Sequence, residues 1–268
     1  RSNTMPSRDI RFTGIVATLN EDRRLDECLA SLSFCDQLIQ VDMGSEDRSV
    51  EVGRKFGVEL VRHERVAVVE ELRSEIVGRA KYDWIIFLDP DEVFPVLLLD
   101  EIIEVISSEK TIGSIMIPWK FYFKGQRLDC TVWGGNKHKQ AINHRDRVTF
   151  TPNVHRGFEL KEGYRHVYLE PEEDLFIRHY WIDSYGELFT KHSRYIKREG
   201  ESRYNIGERF NWSLWIKETV KALKLNLIDY GGAKGGLRGV FLSTFYACYI
   251  ARSLLSLRRY QRKAALDA

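Results

Sequence analysis

The 268-residue chain is poor in cysteine, proline and methionine, with four, six and three of them. Cys28, Cys35, Cys130 and Cys248 are scattered, with no CxxC pair and no zinc-ligand spacing. That argues against a disulfide scaffold or a structural zinc and for free thiols in a reducing compartment. Charge of one sign is also lacking: 41 basic against 39 acidic residues leave a net +2, which names no polyanionic partner. No GxGxxG or GxxxxGKS/T follows the first candidate strand, disfavouring dinucleotide oxidoreductases and P-loop NTPases. The longest apolar stretch, Val240 to Ile250, is about half of the ~20 residues a spanning helix needs. It contains Ser243, Thr244 and Cys248, and Arg252 follows. With no secretory pattern in the polar opening residues, the expectation is a cytoplasmic protein, soluble or resting on a membrane surface but not crossing it.

What is present is an ordinary globular composition, 43% apolar and 30% charged, arranged as alternating strands and helices. Phe12 to Thr18 is a short, nearly continuous apolar run, as expected of a buried parallel strand. Asn20 is placed to cap a helix with Glu21 and Asp22 in its first turn and Leu25, Cys28, Leu29 and Leu32 at helical spacing. Gln37 to Val41 reads as a second strand stopping at Asp42, and Ser49 to Phe56 as a helix ended by Gly57. Val58 to Arg62 is a third strand, Glu70 to Ala80 a helix, and Trp84 to Leu88 a strongly apolar strand running into Asp89.

Four strand-then-helix units in about ninety residues predict a doubly wound α/β sheet. Ligands of such sheets sit outside the carboxyl ends of the strands. Thr18, Asn20, Asp42, Asp47, Asp89, Asp91 and Glu92 therefore converge on one acidic crevice, where an anionic ligand needs a bridging cation. Aspartates one residue apart at a strand end supply hard oxygen ligands to Mg²⁺ or Mn²⁺ and leave positions for phosphate oxygens and water. Pro90 between them stiffens the loop. A lone DxDE is usually a solvated turn; the preceding buried strand and the other acidic strand ends point to metal-assisted cleavage of a sugar diphosphate.

At these residues the chain resembles the family 2 glycosyltransferases with the GT-A fold, and among them the bacterial enzymes that build lipopolysaccharide cores and other surface glycans. The likeness rests on Ala17-Thr18-Leu19-Asn20-Glu21, on Gln40 to Val50, on Arg73, and on Asp83 to Glu92. It covers about the first ninety-five residues. It implies a Rossmann-like mixed sheet flanked by helices, with Thr18, Asn20 and Glu21 bordering the nucleotide. It further implies Asp42, with Ser45 and Asp47, beside the base; Arg73 near the diphosphate; Asp89 facing ribose or metal; and Asp91 ligating the metal. Pro90 and Ser74 replace the family's usual Ala and Asn, removing no ligand.

The second half resembles the acceptor side of the family, where a basic segment precedes a strand and a His-Glu pair. Here the pair is His155-Arg156. His155 is a candidate metal or phosphate contact, and the missing glutamate leaves Glu92, Glu159 and Glu162 as candidates for the base that deprotonates the acceptor. Beyond residue 205, Asn211 to Lys263 holds ten lysines and arginines against Glu218 and Asp229. Trp212, Trp215, Ile216, Leu223 and Leu227 form an apolar stripe beside Lys217, Lys221 and Lys224, a pattern suited to an anionic leaflet. The aromatics are not interleaved as a stacking platform, which disfavours nucleic acid.

The expected organisation is a transferase domain over 5–205, split near 110 into nucleotide-sugar and acceptor halves, and a basic amphipathic helical region over 206–268. The expected activity is inverting, metal-dependent transfer from a nucleotide sugar, UDP favoured, to a glycan or lipid-linked acceptor. Transfer to a polyprenyl phosphate and a catalytically inactive membrane-bound scaffold are the rival readings.

Overall fold

The computed structural model describes residues 10–66, 69–150 and 158–266. The strands are β1 Phe12–Thr18, β2 Gln37–Asp42, β3 Glu59–Arg62, β4 Trp84–Leu88, β5 Glu92–Val93, β6 Ile112–Phe123, β7 Gln126–Arg127, β8 Lys137–His144, β9 Val148–Phe150, β10 Phe158–Leu160, β11 Arg165–Tyr168 and β12 Ile177–Ile182. The helices are α1 Leu25–Ser31, α2 Ser49–Lys55, α3 Val69–Ile76, α4 Leu99–Ser108, α5 Tyr185–Asn205, α6 Trp212–Lys224 and α7 Gly236–Leu266. The chain forms two compact units: 1–119 with 136–179, and 120–135 with 180–268. The expected boundary near 205 is the end of α5, inside the second unit.

The first unit is built on a mixed sheet. In the order β3-β2-β1-β4 the strands are parallel, β8 adds antiparallel to β4, and β6 adds antiparallel to β8. Side chains alternate across a strand, so β4 sends Trp84, Ile86 and Leu88 to one face, with α1 and α4. Ile85 and Phe87 go to the other, with Leu72 and Ile76 of α3. This two-sided burial explains why β1, β2 and β4 read as unbroken apolar runs. Outside the main sheet, β9 and β10 form an antiparallel ribbon whose Phe150 and Phe158 rings lie 6.0 and 5.4 Å from Phe87.

One local expectation is corrected. Asn20 caps no helix: its Oδ1 accepts from Glu46 N–H at 2.8 Å, its φ is +58°, and α1 starts only at Leu25. β6 is a twelve-residue strand that runs unbroken through Pro118.

In the second unit, Ser184 caps α5 by accepting from Glu187 N–H at 3.1 Å, and Asn211 caps α6 by accepting from Leu214 N–H at 2.7 Å. α7 packs on both. His192 sets its ring edge-on to Phe245 and Tyr249, Trp215 Nε1 donates to Ala251 O at 3.0 Å, and Tyr249 and Ser253 hydroxyls each donate to Glu199 at 2.9 Å. The apolar stretch at Val240 is the middle of this 31-residue helix. By length and composition it is sufficient to cross a membrane, with a third of its apolar window buried; the expectation that the segment is too short is corrected on that count.

Candidate active site

Thr18 and Asp42 end β1 and β2 at matched register, and the loops after them are laced together. The buried Asp42 carboxylate accepts from the N–H groups of Gly44 and Ser45 at 3.2 Å and from Thr18 Oγ1 at 3.4 Å. Gln40 Nε2 donates to Thr18 Oγ1 and to Ser49 O. Across the gap, Asn20 N–H donates to Ser45 Oγ at 3.0 Å, Glu21 N–H to Ser49 Oγ at 2.9 Å and Asp22 N–H to Asp47 Oδ2 at 2.9 Å. Against the upward pull of burial, hydrogen bonds from Ser49 and from Asp22 N–H hold the Asp47 carboxyl below its usual range. Thr18, Asn20, Glu21, Asp42, Ser45 and Asp47 thus form one shelf at the sheet edge. Its peptide groups are fixed by side chains, so the shelf is set before any ligand arrives.

Asp89 leaves the end of β4 between two cations. Arg73 Nη2 of α3 lies 3.2 Å from its Oδ1, and Lys139 Nζ of β8 lies 2.9 Å from its Oδ2. The Arg73 guanidinium also stands 5.5 and 5.4 Å over the Phe87 and Phe158 rings, which hold it in place. Burial pushes the Asp89 carboxyl up, but Lys139 and Arg73 outweigh it and hold the group far below the carboxylate range. The same Lys139 ammonium is salt-bridged to Glu92 Oε2, which also accepts the Asp89 N–H at 2.9 Å. Glu92 is fully buried, and burial raises its carboxyl. Lys139 remains charged despite its own burial because two carboxylates face it.

Asp91 points the other way. β5 and β12 pair antiparallel with His179 opposite Glu92, which brings His179 Nε2 to 3.2 Å from Asp91 Oδ2. Trp119 of β6 stacks on the imidazole at 5.1 Å with the planes 5° apart, fixing its orientation. A distance of 3.2 Å is close to the about 3 Å between adjacent ligands of an octahedral ion with bonds of about 2.1 Å. One carboxylate oxygen and one imidazole nitrogen suit Mn²⁺ better than Mg²⁺, which prefers oxygen throughout. Among the described residues no group of three or more His, Cys, Asp or Glu gathers; an ion on this pair would take its other ligands from water and a bound diphosphate.

The structure therefore brings Arg73, Asp89, Asp91 and Glu92 together at one sheet edge. Asp89 has one oxygen on each of two cations. Glu92 is fully buried beneath Lys139. Glu159 pairs with Thr149 on the ribbon; its neighbour Phe158 faces Arg73, so strand alternation turns Glu159 to the opposite side. His155 and Arg156 lie outside the described residues. Sequence reading missed Lys139 and His179 as site residues. Lys139 sits within the basic segment before the ribbon and His179 in Ile177-Arg178-His179-Tyr180, but only strand pairing makes either one a partner of the acidic loop.

Comparison with known proteins gives the family. Over 74 residues the chain is 34% identical to a TPR repeat-containing protein of Synechococcus elongatus, covering 27% of this chain and 18% of that one. A solved glucosyl-3-phosphoglycerate synthase from Mycobacterium tuberculosis, in complex with Mg²⁺ and uridine diphosphate, is similar at 18% identity and a TM-score of 0.35, over 44% of this chain and 45% of that one. A second solved mycobacterial protein is similar at 15% identity and a TM-score of 0.41, over 53% and 56%. The chain thus spans less than a fifth of the curated relative and about half of these solved chains. Residues 13–156, more than half of the chain, match the model of Glycosyl transferase family 2, and the chain belongs to that family.

Proposed function

We propose that the protein is an inverting, metal-dependent glycosyltransferase that moves a sugar from a nucleotide sugar, UDP favoured, to a glycan or glycolipid in cell-surface polysaccharide synthesis. The observation that carries the reading is the Asp91–His179 pair, held beside a ring of Arg73, Asp89, Lys139 and Glu92 at the carboxyl end of β4. Asp91 and His179 would hold the divalent ion, which when bound supplies positive charge to the diphosphate as it leaves. Arg73 and Lys139 neutralise Asp89 and fix its carboxylate at the end of β4. The shelf from Asn20 to Asp47 takes the nucleoside. The acceptor hydroxyl oxygen bonds to the anomeric carbon on the face opposite the diphosphate, its proton passes to water, and the carbon–oxygen bond to the diphosphate breaks with its electron pair on the leaving group.

The acceptor side is read from the second unit. Trp212, Ile216 and Val220 recur every four residues on α6 and are each more than half exposed, with Lys217, Lys221 and Lys224 interspersed. An exposed apolar stripe beside lysines suits the anionic inner face of a bacterial plasma membrane and a lipid-linked acceptor.

The test is thermal unfolding with nucleoside diphosphates, with and without Mn²⁺. A ligand at a hundred times its Kd adds about 2.7 kcal/mol. Stabilisation by UDP that requires Mn²⁺ and disappears in Asp91→Ala is the expected result, and no response to any nucleoside diphosphate would overturn the reading.

A further inference from the structure

A second polar cavity lies wholly within the second unit and has no part in the transfer chemistry above. It is a cleft of about 420 Å³ between the turn Arg127–Cys130 and the segment from Tyr230 to Gly239. Three cations line it: Arg127, Lys234 and Arg238. Arg127 is paired with Asp129, the acidic member of the lining, at 2.9 Å. Among the described residues neither Lys234 nor Arg238 has a carboxylate within ion-pair distance, so the cleft keeps an excess of positive charge. Glycine lets its two sides pack closely. A Cβ on Gly235 would stand 2.4 Å from Cys130 Sγ, and Gly236 has φ +63° and ψ −157°, a conformation open to glycine alone. α7 begins at Gly236, so the positive end of a 31-residue helix belongs to the same turn.

Two further observations mark the cleft as more than a surface dimple. Thr131, next to Cys130 but behind the residues that line the cleft, is β-branched yet holds φ +69°, and its buried hydroxyl has no hydrogen-bond partner among the described residues. Strain of this kind persists only where the surroundings impose it, and it concentrates at ligand sites. The flanking segment also exposes large apolar side chains: Ile228 is 64% exposed, Tyr230 46% and Leu237 93%. Unpaired cations in a glycine-walled cleft, bordered by exposed aliphatic groups, match a phosphate group attached to an apolar body.

We propose that this cleft binds a phosphate group, held by Lys234 and Arg238 with Arg127 at its rim. The phosphate of a lipid headgroup and that of a soluble phosphate ester share this chemistry, and the experiment separates them. Cys130 supplies the readout, because it lines the cleft, is half-buried and is a free thiol. Burial raises its pKa, so alkylation is followed at alkaline pH by peptide mass spectrometry on the full chain.

Inorganic phosphate, at ionic strength matched with chloride, is expected to slow Cys130 alkylation. Lys234→Glu with Arg238→Glu should weaken that protection at least about tenfold, as loss of charge-assisted bonds implies. Lys55→Glu with Lys110→Glu, equal in charge change but exposed on the first unit, should leave it intact. Arg238→Gln alone repeats the test with a milder change, and circular dichroism checks folding of each variant. Protection by phosphatidylglycerol vesicles but not by phosphatidylcholine vesicles identifies the lipid headgroup. Protection by phosphate without protection by either vesicle identifies a soluble phosphate. Equal alkylation in phosphate and chloride, or protection that survives in both cleft variants, overturns the proposal.

Discussion

His179 Nε2 lies 3.2 Å from Asp91 Oδ2 although 88 residues separate them in the chain. The contact exists because β12 pairs with β5 immediately after the acidic loop, and because Trp119 stacks on the imidazole and denies it other orientations.

If this pair holds the catalytic ion, each half is indispensable to the metal and dispensable to the fold. Asp91→Ala and His179→Ala are expected to lower transfer by about 10²-fold or more, the range for losing electrostatic stabilisation of a leaving group. Nucleotide-dependent initial rates across a Mn²⁺ titration check this. A partial rescue by high Mn²⁺ in His179→Ala, and none in Asp91→Ala, is the expected order.

Lys139 joins Asp89 to Glu92 and is itself almost entirely enclosed. Lys139→Met removes the cation and leaves the fully buried Glu92 facing Asp89 without compensation. Breaking one side of a buried ion pair costs about 3–5 kcal/mol, and urea unfolding should show a loss at the lower end, since Asp89 is partly open to water. Adding Glu92→Gln to Lys139→Met should recover much of it, because the second change removes the stranded charge.

Gly53 in α2 leaves room for Gln40, whose amide braces Thr18 and Ser49 from beneath. A Cβ there would fall 1.7 Å from Gln40 Oε1. Gly53→Ala is therefore expected to destabilise by about 1–3 kcal/mol, as overpacking does, and to weaken nucleotide binding by loosening the shelf. Calorimetric binding of UDP with the variant and wild type at one temperature measures the second effect.

His192 is buried among Trp133, Trp181, Phe245 and Tyr249. Burial is the main cause that holds its pKa below the usual histidine value, with Lys191 adding to it and a bond to Leu188 O opposing it. A depressed histidine binds its proton more weakly folded than unfolded. Its contribution is therefore complete above the unfolded value near 6.5 and is lost as pH falls through the folded value. Wild-type stability should decline between pH 7 and pH 5, and His192→Gln should flatten that part of the profile in denaturant titrations.

The sequence alone determined the frame of the donor side. β1, β2 and β4 announce themselves as apolar runs because both faces are covered, and each stops at a polar residue where the chain turns out of the sheet. The bounds of β4 and the end of α2 before Gly57 were legible to the residue or nearly so, since periodicity and turn chemistry act over a few neighbours. Asp42, Asp89 and Asp91 could thus be named before any coordinates, and Arg73 from the family resemblance.

Only the tertiary structure decided what those side chains do. That Asp89 faces two cations, that Glu92 is sealed beneath Lys139, and that Asp91 meets His179 all follow from β8 and β12 joining the sheet out of chain order. A lysine or histidine within a strand has no local signature of its partner, because strand pairing across scores of residues is fixed by the burial of whole faces and not by the pair itself. The same holds in the second unit. The Val240 stretch looked short because polar residues interrupt it, yet Ser243 returns a hydrogen bond to Gly239 O and Ser253 to Glu199. The helix's own backbone satisfies the first hydroxyl and a neighbouring helix the second, so neither counts against the length of the helix.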